Sequence, residues 1–263
     1  MQNRGTGSKQ EPIWWISQIA GRLESTRRIR EIRKTGGLNR FKSCDWSEHV
    51  RIENQHGNSC LGFSRSQCVW LWQVLRGMLP QFPPDPYRAY WYARAMHHDT
   101  NDNGTYTGSI WTAGEDFGDI AFQQTRSPIR ELTEPPPANE DARAVDVKVK
   151  ARPIFATGKD LIDRICDSLA LFQPVQLSLK VDQSFLADSG PSLVDTPTNP
   201  MVLGHAVAVV GCRESLTPGK WPELLIANSW GLGWRNNGCV WITGEYAAQA
   251  YGVWYVESVG GIL

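Results

Sequence analysis

No run of about 18 apolar residues occurs in the 263-residue chain, so a membrane-spanning helix is not expected. No apolar stretch follows Arg4 and Lys9 as it would in a secretory leader, so no signal peptide is expected either. Net charge is also missing: 27 Lys and Arg balance 27 Asp and Glu, and the total gives no reason to expect nucleic acid. Cysteine is sparse at six, and Cys68, Cys166, Cys212 and Cys239 all fall inside apolar patterns. Buried thiols of that kind fit a reduced, intracellular chain better than a disulfide framework. There is no internal repeat and no low-complexity tract.

What is present is enough to build a core. Hydrophobic residues make up 41% of the chain and twelve of its residues are tryptophan, so it can fold as one large domain or two packed lobes. Charge is unevenly placed: residues 1–43 carry ten Lys/Arg against three Glu. Within them, Ile13, Ile16, Ile19, Ala20, Leu23 and Ile29 space out as one side of an amphipathic helix over 12–34, which Thr35-Gly36-Gly37 ends. This basic arm is open to three readings: packing on its own domain, contact with a protein partner or assembly, or a short pro-region.

Two apolar runs hold polar residues that need partners. His205 heads Gly204-His205-Ala206-Val207-Ala208-Val209-Val210-Gly211, and Asn228 ends the run before Ser229-Trp230-Gly231. Both runs read as buried strands, where an imidazole and an amide must be hydrogen-bonded or functional. An imidazole oriented by an amide oxygen suits a thiol nucleophile. Upstream, Asn54-Gln55-His56-Gly57-Asn58-Ser59-Cys60 supplies one. Cys60 precedes Leu61, Phe63, Val69, Leu71, Trp72, Leu75 and Leu79, a spacing that predicts one helix running to Pro80 with Ser59 as its N-cap.

In that first turn the unsatisfied N–H groups and the positive end of the helix dipole favour an anion. Helix starts and a neighbouring imidazolium bring an ordinary thiol from about 8.5 to roughly 3.5–7.5. In such a set His205 holds the counter-charge and later protonates the leaving amine, while Asn228 orients the ring. Gln55, five residues before Cys60, offers a side-chain N–H that pairs with the Cys60 backbone N–H as an oxyanion hole. His56 lies too close in sequence to the nucleophile to serve as its base. Taken singly, Cys60 has a second reading as a core thiol, His205 as a structural histidine and Gln55 as a loop residue; the helix-start position of Cys60 and the combination carry the functional reading.

The order Gln55, Cys60, His205, Asn228, with the Asn-Ser-Trp-Gly context, resembles the papain family of cysteine peptidases over most of the chain after Asp45. The resemblance implies an α+β fold of two lobes: a helical lobe carrying the nucleophile and a β-barrel-like lobe carrying His and Asn. It further implies that Trp230 shields the Asn228–His205 contact from water, and that a peptide or protein substrate lies in the inter-lobe cleft. Asp45-Trp46 resembles the opening of many mature papain-like domains. Departures are Leu61 in place of an aromatic, Gly62 in place of alanine, Asn58 where glycine is frequent, and Arg235-Asn236 where Gly and Glu are usual. The cysteine ahead of the nucleophile, normally disulfide-bonded in the family, is missing. These features look more like the divergent bacterial and phage-encoded branch.

The organisation expected is an arm at 1–43, a helical lobe at 44–134 and a β-rich lobe at 135–263. Further helices are predicted from Pro86 toward His98, with Tyr87, Tyr90, Trp91 and Ala95 inward, from a Ser109 cap to Ala121, and around Leu161–Leu169. Asp99 to Gly104 imitates the start of a calcium loop, but Ile110 stands where a bidentate carboxylate is needed, so the segment reads as a turn. Residues 133–139, rich in proline, read as a stiff connector. Strands are expected at 145–149, 175–181, 203–211, 223–228, 238–243 and 251–257, with a loop over 182–203.

No metal or cofactor is called for. The leading expectation is a peptidase acting through an acyl-enzyme on Cys60. The alternatives are a catalytically quiet papain-fold structural or assembly protein, such as a phage virion component, and acyl transfer to an amine.

Overall fold

A computed structural model describes Ser8, Lys9 and residues 43–78, 80–122, 128–144, 147–195 and 203–260. The amphipathic helix expected at 12–34, and Val145 of one expected strand, lie outside the described residues.

The nucleophile candidate begins a helix, α1 (Cys60–Val74), as the spacing predicts. It stops short of Pro80, because the chain turns through Leu75–Gly77, where Gly77 takes a φ of +73°. Every residue from Cys60 to Val69 is buried, so α1 runs through the interior rather than along its surface. Several of its polar side chains find partners there. Arg65 makes a bidentate pair with Asp119 at 2.8 and 2.7 Å, and Ser66 Oγ donates to the Pro84 carbonyl. Gly62 lets a second helix, α2 (Pro86–Ala95), approach: a Cβ there would stand 2.2 Å from the Pro86 carbonyl oxygen. That contact accounts for glycine in place of alanine.

Asp85 caps α2 by accepting from the Tyr87 and Arg88 amides. Its inward face is Tyr87, Tyr90, Ala93 and Arg94, with Trp91 and Ala95 only half-buried. The following helix, α3, spans Thr107–Asp116 rather than starting at a Ser109 cap. Thr107 opens it and its hydroxyl bonds that of Ser178 at 2.9 Å, so tertiary contact fixes the start three residues early. Gly118, at φ +69°, carries the chain away, and Phe117 is left partly exposed. Short helices α4 (Pro128–Thr133) and α5 (Ala138–Ala144) flank the proline-rich connector.

The remainder is built on an eight-stranded sheet among the described residues. In chain order its strands are β2 (Ser43–Asp45), β4 (Val149–Pro153), β5 (Val175–Val181), β6 (Leu193–Val194), β7 (Leu203–Arg213), β8 (Glu223–Ala227), β9 (Cys239–Ile242) and β10 (Gly252–Val259). Their order in space is β4-β10-β5-β7-β8-β9-β6, with β2 pairing β7. The central strands are buried along nearly their whole length, as strands covered on both faces must be. Helix α6 (Gly158–Ala170) packs on β7 and β5, while α1 crosses β7, β10 and β5 from the other lobe.

Part of the stretch read as a loop is ordered structure. Asp182 accepts from the Phe185 amide and caps a single-turn helix, α7 (Gln183–Leu186), and β6 then pairs in parallel with β9. A one-turn helix, α8 (Gly244–Ala247), precedes β10. A separate two-stranded ladder joins β1 (Ser8–Lys9) in parallel to β3 (Thr105–Tyr106). No helix among the described residues is long and apolar enough to cross a membrane.

Candidate active site

The antiparallel pairing of β7 and β8 decides where His205 and Asn228 meet. Ala208 sits opposite Ala227, so the beginning of β7 and the residues just after β8 share one end of the sheet. There His205 Nε2 lies 2.7 Å from Asn228 Oδ1. The Ser229 backbone N–H also donates to that Oδ1, at 2.8 Å, which marks it as an acceptor and puts the ring proton on Nε2. Nδ1 is then the basic nitrogen of the neutral ring, and it is buried without a hydrogen-bond partner. Trp230 stacks on the imidazole with centroids 4.5 Å apart and planes 26° from parallel. Phe185 meets the same ring edge-on, and Trp234 packs against Trp230. This aromatic wall takes the His205–Asn228 contact out of water. Burial pushes the imidazole down to about 4, against a smaller upward pull from Asn228.

Gln55 is tied to the same segment from the helical lobe. Its backbone N–H donates to the Ser229 carbonyl at 2.8 Å, and its side-chain Oε1 accepts from Ser229 Oγ at 2.6 Å. Its Nε2 donates to the Gly57 carbonyl at 3.0 Å. An isolated bridge between Asn54 and Trp230 and a bond from the Gly231 amide to the Glu53 carbonyl extend the seam. The six residues from Gln55 to Cys60 therefore lead directly from the Asn228–Trp230 segment to the start of α1.

Ser59 occupies the position before α1, yet its hydroxyl does not cap the helix: it donates back to the His56 carbonyl at 2.6 Å. With φ −88° and ψ 15°, Ser59 departs from the extended backbone of an N-cap, and it closes the preceding loop instead. The N-terminal end of α1 therefore carries no side-chain cap from Ser59. His56 is exposed.

Tyr251 lies against the start of β7: burial pushes its phenol up, against a downward pull from its bond with Ser8, and a Cβ on Gly204, the residue before His205, would stand 2.7 Å from its hydroxyl. Cys60 and His205 are both fully buried. Ser8 lies at the same place: its carbonyl and hydroxyl oxygens are 3.0 and 2.9 Å from the Tyr251 hydroxyl, and a Cβ on Gly204 would meet its carbonyl at 2.2 Å. Strand β1 thus bridges Thr105 of the helical lobe and Gly204 of the β lobe.

Ser229, Phe185, Tyr251 and Ser8 are site residues to which the sequence reading gave no role. Ser229 had a signal, since it lies inside the Asn-Ser-Trp-Gly context. The others had none, because their roles come from distant packing. No group of three or more His, Cys, Asp or Glu able to hold a metal occurs among the described residues, and no disulfide joins the described cysteines.

Comparison with known proteins agrees with this geometry. The family described as papain family cysteine protease matches residues 88–254, which include His205 and Asn228 and begin after Cys60. A search of curated proteins finds no match. Among solved structures, the chain is similar to xylellain, a cysteine protease from Xylella fastidiosa, at 20% identity and a TM-score of 0.69, covering 82% of this chain and 85% of that one. It is similar to digestive procathepsin L 3 of the Tenebrio molitor larval midgut at 19% identity and a TM-score of 0.64, over 81% and 69% of the two chains. For recombinant stem bromelain precursor the figures are 16%, 0.61, 82% and 71%. At these identities the structures speak to the fold, while the family match covers more than half of the sequence. The chain belongs to the papain family of cysteine proteases and is a cysteine-type peptidase.

Proposed function

We propose that the protein hydrolyses peptide bonds through an acyl-enzyme on Cys60. The observation that carries this reading is the His205 ring, fixed through Nε2 by Asn228 and leaving Nδ1 as a buried, unpartnered base. The Cys60 proton passes to Nδ1, and the thiolate sulfur attacks the scissile carbonyl carbon. The negative charge that develops on the carbonyl oxygen is met by the Cys60 backbone N–H and by Gln55 Nε2. The imidazolium then protonates the leaving amine as the C–N bond breaks, giving a thioester. Water, losing a proton to the same nitrogen, attacks the thioester and releases the acid and the thiol. Burial disfavours the imidazolium, so in this reading the ion pair depends on the thiolate for its counter-charge.

Substrate lies in extended form between Thr105 and Gly204, whose backbones face each other across the cleft and are at present joined by β1. In this reading residues 8–9 occupy the substrate's place, and the arm acts as a short pro-region. Turnover of a denatured protein substrate by wild type, and its loss in Cys60→Ala with an unchanged melting temperature, tests the assignment; a Cys60→Ala variant that retains wild-type turnover would overturn it.

A further inference from the structure

The turn at Asp99–Gly104, whose sequence imitates a cation loop, directs its central carboxylate at the nucleophile loop instead. Asp102 Oδ1 and Oδ2 accept from the Asn58 backbone N–H at 3.1 and 3.0 Å, and Asn58 Nδ2 donates to the Asp102 carbonyl at 2.5 Å. The Tyr90 hydroxyl donates to Oδ1 at 2.7 Å while accepting from the Gly104 amide at 3.0 Å, so the carboxylate is itself held in place. Gly57 closes down on it with a φ of +59°, and a Cβ there would stand 2.1 Å from Oδ2. Only glycine fits at that point.

The N–H of Asn58 and the C=O of Gly57 belong to one peptide unit. Its N–H end faces the Asp102 carboxylate, and its C=O end accepts from Gln55 Nε2 at 3.0 Å. The other end of the Gln55 amide accepts from Ser229 Oγ at 2.6 Å. An anion on the N–H of a peptide strengthens its carbonyl as an acceptor, so the chain of bonds is polarised in one direction. The Gln55 amide is gripped at both ends, and one grip runs through Asp102.

We propose that Asp102 is a positioning residue for the oxyanion donor Gln55, acting through the Gly57–Asn58 peptide. The proposal rests on the reading of Cys60 and Gln55 given above. A carboxylate that merely tied down the loop would move Cys60 and Gln55 together. A carboxylate that aims the Gln55 amide affects only the steps in which oxygen acquires charge.

The test is a double-mutant cycle on peptide hydrolysis with Asp102→Ala, Gln55→Ala and the pair, together with two probes that separate the steps. Asp102→Ala is expected to lower kcat on the order of tenfold with KM within about twofold, and to cost less than about twofold more in the Gln55→Ala background. Affinity for a peptide aldehyde, whose hemithioacetal oxygen enters the oxyanion hole, should fall in step with kcat. Alkylation of Cys60 by iodoacetamide, which needs no oxyanion, should stay within about twofold of wild type. Asp102→Asn, nearly isosteric, gives the same pattern at reduced size, and serves if the alanine variant fails to fold. Multiplicative losses in the double variant, or an alkylation rate that falls with kcat, would overturn the proposal. A wild-type protein that neither cleaves peptide nor binds the aldehyde would instead overturn the assignment of Cys60 and Gln55, and the proposal with it.

Discussion

Gln55 and Ser229, 174 residues apart in sequence, hold each other through a side-chain bond of 2.6 Å and a backbone bond of 2.8 Å. The seam joins the loop that leads into Cys60 to the segment that begins with Asn228. Gln55 and the segment whose amide holds the His205 ring are therefore fixed to one another rather than to their own lobes alone.

That link has a kinetic consequence. Gln55→Ala removes a donor from the developing oxyanion and is expected to lower kcat about 100-fold with little change in KM. Ser229→Ala leaves the donor present but held at one end only, so its loss should be smaller, about tenfold. Steady-state kinetics on one peptide substrate, with melting temperatures as a control, checks the ranking. Equal losses, or a larger one for Ser229→Ala, would contradict it.

Acid stability reports on the buried ring. Burial holds His205 down to about 4 against an ordinary 6.5, so between those values the unfolded chain binds a proton that the folded chain does not. Stability should therefore fall as the pH drops from about 6.5 to about 4, and the ring's share is roughly 3 kcal/mol. Chemical denaturation of Cys60→Ala against Cys60→Ala/His205→Gln over this range isolates it, because no thiolate is then present to raise the imidazole. The variant without the ring should show the flatter profile.

The strand across the cleft predicts a change in access. Ser8 lies against Gly204 and Tyr251 beside a fully buried Cys60. Removing residues 1–9 should raise both the rate of Cys60 alkylation and kcat/KM by on the order of tenfold, corresponding to an occluding contact of about 1.4 kcal/mol. Rates equal to those of the full chain would place the arm outside the substrate path.

Much of this site was legible because local chemistry and tertiary demand agree. An apolar run headed by His205 and another ended by Asn228 could only be buried strands, and Cys60 at the head of an apolar periodicity could only begin a helix. What the sequence did not disclose came from contacts between distant segments. Asp182, Ser184 and their neighbours have loop composition, yet Asp182 caps α7 because Phe185 finds a place against His205 and Trp230. Ser109 looked like a cap, but Thr107 pairs with Ser178 and starts the helix first. Ser59 has the right side chain and position, and its hydroxyl turns to His56 instead. Asp102 was readable as a turn residue, whereas its hold on Asn58 depends on two loops 44 residues apart meeting.

The central claim is that Cys60 and His205 act on one proton. The pH dependence of Cys60 alkylation by iodoacetamide, measured in wild type and in His205→Ala after removal of residues 1–9, tests it most directly. Rapid alkylation that persists well below the ordinary cysteine value of about 8.5, and that reverts to an ordinary thiol's profile in His205→Ala, is the predicted result. An ordinary thiol's profile in both proteins would contradict it.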